Sequence, residues 1–178
     1  MRSRAFCRPE DFDAWVLCPG KCALEEGEED DAMRVETPPR GGSWLDISTV
    51  TGEQGALAFV DALKASEVGD TAEIDIQAGQ GESFLKIVAL AALVRYSMLL
   101  KVTQVRLSGA PTSRDALEVT LPELYVFGAQ VTEAAALSLR LRGESAALDH
   151  LVAGDVQCRG CLARYRCPAY QGWVGSIV

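Results

Sequence analysis

Histidine is nearly absent from this chain: its 178 residues contain one, His150. Metal sites that pair cysteines with two histidines are therefore excluded. Basic charge is also short, with 17 Lys and Arg against 25 Asp and Glu, a net charge of −8. That argues against broad non-specific binding to nucleic acid, which relies on basic surfaces. No uninterrupted apolar run is long enough for a membrane span, because the longest, FLKIVALAALVRYSMLL (84–100), is broken by Lys86 and Arg95. The start, MRSRAFCRPEDFDAW, lacks the apolar core and cleavage site of a secretory leader, so a cytoplasmic location is expected. GQGES (79–83) has too few glycines for a dinucleotide loop. There is no internal repeat and no low-complexity tract.

Cysteine, by contrast, is present six times. In a chain expected to stay in a reducing compartment, that favours metal or redox chemistry over disulfides. Cys158, Cys161 and Cys167 follow a C-x2-C-x5-C spacing with proline directly after. The x2 spacing lets two thiolates from one turn reach one centre, and five further residues bring the chain back from the other side. Three ligands leave a tetrahedral zinc or a four-iron cluster one short. Cys18, in W-V-L-C-P-G, is the first choice for the fourth, with Trp15 close by to shield a site. Cys22 is the alternative, and Cys7 is expected to be a free thiol. Structural zinc sites pair two short knuckles, whereas this chain offers one knuckle and a distant cysteine, so a [4Fe-4S] cluster is preferred and Zn2+ kept as the alternative. Arg159, Arg164 and Arg166 lie among these cysteines as a local basic patch and are the candidate nucleic-acid contacts.

Hydrophobic content of 48% supports a folded globule, and the length suits a single domain, 1–178. The expected layout has 1–27 and 144–178 around the cysteines, an acidic and Pro/Gly-rich mobile loop at 28–43, and an α/β core at 44–143. The acid run EEGEEDD (25–31) reads as solvated surface. A short helix, a Cys-Pro-Gly turn and a helical turn are expected over 10–27. Strands are expected in SWLDISTVTG, 71–79, 102–109 and 115–124. Helices are expected over 55–66, 84–100, 123–143 and 145–154. Along the helix at 123–143, Leu124, Phe127, Val131 and Ala134 are spaced as core. The apolar tail QGWVGSIV must fold back or dock on a partner, with Trp173 as its most prominent residue.

The cysteine pattern resembles the iron–sulfur staple of RecB-like nucleases of the PD-(D/E)XK superfamily, such as the exonucleases of CRISPR adaptation, in a phage-encoded branch. Trp15 to Leu24 resembles that branch's opening and QCRGCLARYRCPA its closing motif. Between them, IDIQAGQG sits where the family carries Asp-x-Lys, and ALVRYSMLL where it carries Gln-x-x-x-Tyr. The resemblance implies a mixed sheet flanked by helices, with both ends of the chain joined by the cluster. It also marks departures: Asp75 matches the aspartate, but Gln77 stands at the lysine, and Ala92 at the glutamine that precedes Tyr96. Lys86 is a possible migrated lysine, with Glu73 or Asp70 assisting, though it is more simply a surface residue. Asp75, Gln77, Tyr96 and Lys86 thus read as vestigial. The resemblance implies a non-cleaving binding module in phage DNA metabolism or counter-defence, with a protein partner, such as another phage protein, favoured over DNA. A virion or assembly component reusing the scaffold is one alternative, and an active metal-dependent exonuclease another. Location would then be the host cytoplasm or the virion.

Overall fold

The computed structural model describes residues 11–25, 42–68, 71–109, 116–142 and 145–177. Cys7, Asp70 and the acidic and Pro/Gly stretch 28–41 fall outside these residues.

Two short helices open the described chain, α1 (Phe12–Leu17) and α2 (Lys21–Glu25). Strand β1 (Ser43–Asp46) and a helical turn, α3 (Ser48–Thr51), follow. Residues 55–66 do not form the expected helix. They supply β2 (Leu57–Val60) and, after Asp61, the start of β3 (Ala62–Val68). The reason is tertiary: Ala58 and Val60 alternate with Leu57 and Phe59 in burial, and β2 pairs antiparallel with β1. Phe59 lies opposite Trp44, with ring centroids 5.5 Å apart. Such cross-strand partners outweigh the helical preference of Ala, Leu and Lys, because strand preference is decided by neighbours on the sheet.

β3 turns back into β4 (Thr71–Gln77), antiparallel and in register from Ala62–Gln77 to Val68–Thr71. Helix α4 (Glu82–Ser97) then crosses over to β5 (Lys101–Ser108), which runs parallel to β4. The short β6 (Ala116–Val119) pairs antiparallel with β5. The result is a four-stranded mixed sheet in the order β3-β4-β5-β6 beside the two-stranded β1-β2 sheet. The architecture is mixed α/β, as the alternation of elements predicts.

One face of the larger sheet carries Ala72, Ile74, Ile76, Val105 and Leu107, all buried. α4 lies against it and is itself buried on almost every side from Phe84 to Leu93, since α5 (Leu121–Arg140) packs over it. α5 begins at a capping box: the Thr120 hydroxyl accepts from the Glu123 N–H while the Glu123 carboxylate accepts from the Thr120 N–H at 2.9 Å. Leu124 and Val131 are fully buried, and Phe127 and Ala134 pack at the edge of the same core.

The chain ends in short pieces. A 3-10 turn (Ser145–His150) is followed by α6 (Asp155–Arg159), a second 3-10 turn (Arg164–Arg166) and α7 (Pro168–Ile177). The helix expected over 145–154 stops at His150, because the backbone beyond it turns to meet the N-terminal helices.

Candidate metal centre

α1 ends one residue before Cys18, and the Cys-Pro-Gly turn closes with the Lys21 N–H donating to the Cys18 carbonyl at 2.9 Å. The turn is pressed against the 3-10 segment of the C-terminal region. The Gly20 N–H donates to the His150 carbonyl at 3.2 Å, and a Cβ on Gly20 would stand 2.4 Å from the Ala147 carbonyl oxygen. Gly20→Ala is therefore expected to cost about 1–3 kcal/mol, as overpacking does, read as a lower urea midpoint. Gly160→Ala, where no atom lies within 4 Å of the added Cβ, is the near-neutral control.

That contact brings the N-terminal cysteine to the C-terminal ones. The Cys18 sulfur accepts from the Val152 N–H at 3.3 Å, and the Cys158 sulfur accepts from the Gly154 N–H at 3.4 Å. Cys18, Cys158 and Cys167 are buried. Burial pushes the Cys18 thiol pKa up, and the neighbouring Cys167 and Cys158 raise it further, against the stabilising N–H of Val152. α1 packs on α6, the helix that carries Cys158. Cys22 belongs instead to the main apolar core, as do Phe12 and Trp15, whose rings meet edge-on with centroids 4.9 Å apart. Trp15 is thus a core residue.

Cys161 is half-buried and stands beside Glu25. Its thiol pKa is pushed up to about 12, by burial first and then by the Glu25 carboxylate, which accepts a hydrogen bond from it. Glu25 is buried, unlike the solvated acid expected from the run it opens. Its Oε1 accepts from the Leu162 N–H at 2.7 Å, and its Oε2 pairs with Lys21 Nζ at 3.3 Å. Lys21 is 2% exposed and also pairs with Asp11 at 3.3 Å. Desolvation works to lower the lysine pKa, but Glu25 and Asp11 together hold it above its usual value. The Lys21–Glu25 pair has the i,i+4 spacing, a signal present in the sequence but hidden inside an acidic run.

These shifts have one sign at high pH. Unfolded thiols release protons near pH 9 and unfolded lysine near 10.5, whereas the folded chain keeps them bound to higher pH. The unfolded state then binds fewer protons, so stability falls as pH rises. The urea midpoint of reduced, metal-free protein is expected to decline from about pH 9 upward. Cys161→Ser removes much of that slope, and a flat profile in the parent chain would contradict the assignment.

Arg166 stands apart from the other two arginines. Arg166 donates through Nη2 to the Leu24 carbonyl, tying the cysteine loop to α2. Arg164 lies over the Tyr165 ring, 4.6 Å from its centroid. Arg159 and Arg164 line a hollow of 170 Å³ with Cys158, Tyr170 and Trp173. Trp173 therefore folds back beside the cysteines, 5.9 Å from the Tyr170 ring. The His150 contribution to the junction is its backbone carbonyl.

On the second face of the four-stranded sheet, β4 carries polar side chains. Glu73, Asp75 and Gln77 alternate with the buried residues of β4. The sequence reading missed Arg106, placed by the same alternation on β5. Its guanidinium pairs with Glu73 at 3.1 Å, Glu118 at 3.6 Å and Asp75 at 3.8 Å, and donates to Gln104 at 3.2 Å. Lys86 pairs with Glu82 at 2.5 Å and lies over the Phe127 ring. The lysine brought level with Asp75 is Lys64, its partner across the β3–β4 hairpin. Tyr96 is partly buried against the core. Asp61 accepts from the Gly79 N–H at 2.9 Å just beyond Gln77.

Among the described residues no three His, Cys, Asp or Glu side chains are placed to hold a metal ion. No helix among them is long and apolar enough to cross a membrane. The described residues define a mixed α/β protein in which cysteines from near both ends of the chain meet. Comparison with protein families, curated proteins and solved structures gave no match.

Proposed function

We propose that this chain is a non-cleaving binding module of PD-(D/E)XK-like fold, clasped by a [4Fe-4S] cluster and acting through a protein partner in phage DNA metabolism or counter-defence. The observation that carries the non-cleaving reading is Arg106. Nucleases of this kind gather carboxylates to hold a divalent cation and use a lysine beside them. Here a guanidinium lies among Glu73, Asp75 and Glu118, and a neutral amide, Gln77, stands at the lysine position, while the lysine level with Asp75 is Lys64 of the neighbouring strand. The hairpin β3–β4, the crossover α4 and the parallel β5 support the fold assignment, since Asp75 falls on the strand that leads into the crossover.

Cys18, Cys158, Cys161 and Cys167 would hold the cluster. The spacing of one C-x2-C knuckle with a distant third cysteine supports several irons over one zinc. The Val152 and Gly154 N–H groups donate to the Cys18 and Cys158 sulfurs and could keep doing so to ligated sulfur. Bound, the cluster supplies a covalent tie between the chain's ends, and so contributes folding free energy directly.

The test is one anaerobic preparation. About four irons and four sulfides per chain, with absorbance near 400 nm, are expected, together with no digestion of linear DNA in Mn2+. A colourless protein with one zinc overturns the cluster, and digestion abolished by Asp75→Ala overturns the non-cleaving reading. A virion role is the second reading, and stoichiometric presence in purified particles distinguishes it.

A further inference from the structure

The strongest unpartnered apolar surface lies at the end of α4. After Ser97 the chain turns through Met98 and Leu99, which are 84% and 83% exposed. Tyr125 and Val126 of α5 are 60% and 64% exposed. Apolar side chains so open are unremarkable singly, but a contiguous set marks an interaction surface. Met98, Leu99 and Tyr125 border two hollows that share Leu93, Ser97 and Tyr125. One, of 440 Å³, reaches toward Leu100 and Lys101; the other, of 230 Å³, reaches toward Val50 and Thr132. Together they form a groove along the α4–α5 crevice. On α5 it runs from Leu121 to Thr132, about 16 Å at 1.5 Å per residue. That is the length of three helical turns, which suits a helix anchored at i, i+4 and i+7.

Charge says what kind of helix. Lys101 lines the groove, and Arg95, exposed on α4, sits one turn before Met98 and Leu99. No acidic side chain lines either hollow. Of the two carboxylates on α5, Glu123 is held by the Thr120 cap and Glu133 follows Thr132; neither lines a hollow. A basic rim on a chain of net charge −8 selects an acidic partner. A second copy docked by two-fold symmetry would set Arg95 and Lys101 against their own equivalents.

We infer that the α4–α5 groove docks an amphipathic helix of another protein, with an apolar face of large side chains and flanking Glu or Asp. This names the partner chemistry of the binding module proposed above and rests on that reading. It does not depend on the cluster.

The test uses two synthetic helical peptides with leucine at i, i+4 and i+7, flanked by glutamate in one and lysine in the other. They are titrated into the full chain carrying 13C-methyl methionine, with the Met98 signal assigned by Met98→Leu. The glutamate peptide is expected to shift the Met98 methyl and to bind at least about tenfold more tightly than the lysine peptide. Arg95→Glu with Lys101→Glu should reverse the preference, and Leu99→Lys should weaken both. Equal binding of the two peptides, or no Met98 shift, overturns the inference. So does a Met98 shift that follows protein concentration alone, which would make the groove a self-interface. Iron content measured on the same sample keeps this outcome separate from that of the cluster assignment.

Discussion

Cys18→Ser is expected to abolish absorbance near 400 nm and to release the N-terminal helices from the C-terminal segment. The expected loss is large because metal ligation is folding free energy in small clasped domains. For structural zinc it amounts to about 10–16 kcal/mol, comparable with the whole stability of a typical domain, about 5–15 kcal/mol. Cys18 lies near both Cys158 and Cys167, and its sulfur accepts from the Val152 N–H. Cys22→Ser is the matched control. Its thiol lies in the apolar core, so the exchange buries a hydroxyl at a cost of about 1–3 kcal/mol while the chromophore survives. Iron and sulfide analysis with hydrogen exchange over residues 11–25 reads both variants. If Cys22→Ser loses the chromophore and Cys18→Ser keeps it, the fourth ligand has been misassigned.

Lys21→Met is expected to destabilise the protein by about 3–5 kcal/mol, the cost of leaving a buried carboxylate without its cation. The Glu25 side chain is 8% exposed and that of Lys21 is 2%, so water screens the pair little. Glu25→Gln in the Lys21→Met background should recover much of the loss, because the amide oxygen still accepts from the Leu162 N–H while no charge remains. Urea denaturation of the two variants and the parent completes the comparison. A single-variant cost below about 1 kcal/mol would place this pair with ordinary surface ion pairs. The consequence reaches beyond stability, since Glu25 holds both the Leu162 backbone and the Cys161 thiol. The Lys21–Glu25 pair thus helps to fix the start of the loop between the second and third cysteines of the C-terminal motif.

The two halves of the proposed function separate experimentally for a structural reason. The cysteine junction lies between α1–α2 and the C-terminal segment, whereas Asp75 and Arg106 lie on the open face of the four-stranded sheet. A variant such as Arg106→Ala touches only the second. It bears on whether the acids can take up a divalent cation once the guanidinium is gone.

Elements whose periodicity and punctuation agree are legible in the sequence. The alternation of TAEIDIQ fixed β4 and divided Ile74 and Ile76 from Glu73 and Asp75. The apolar stretch after Gly81 fixed α4. The spacing of Leu124 and Val131 fixed the buried side of α5, and the C-x2-C-x5-C run marked where the chain's end gathers. Other features were decided only by the tertiary structure. Residues 55–66 became strands because β1 and β4 offered them backbone partners, a gain that no local propensity encodes. Residues 145–154 left the helix at His150 because that carbonyl and the Val152 N–H found partners in the Cys18 turn. Glu25 was buried because Lys21, one helical turn earlier, neutralises it and the Leu162 N–H binds it. Arg106 met Asp75 because β5 lies parallel beside β4 in a register that pairs them directly. In each case the deciding interaction joins residues far apart in the chain or depends on burial, and neither is written in local pattern.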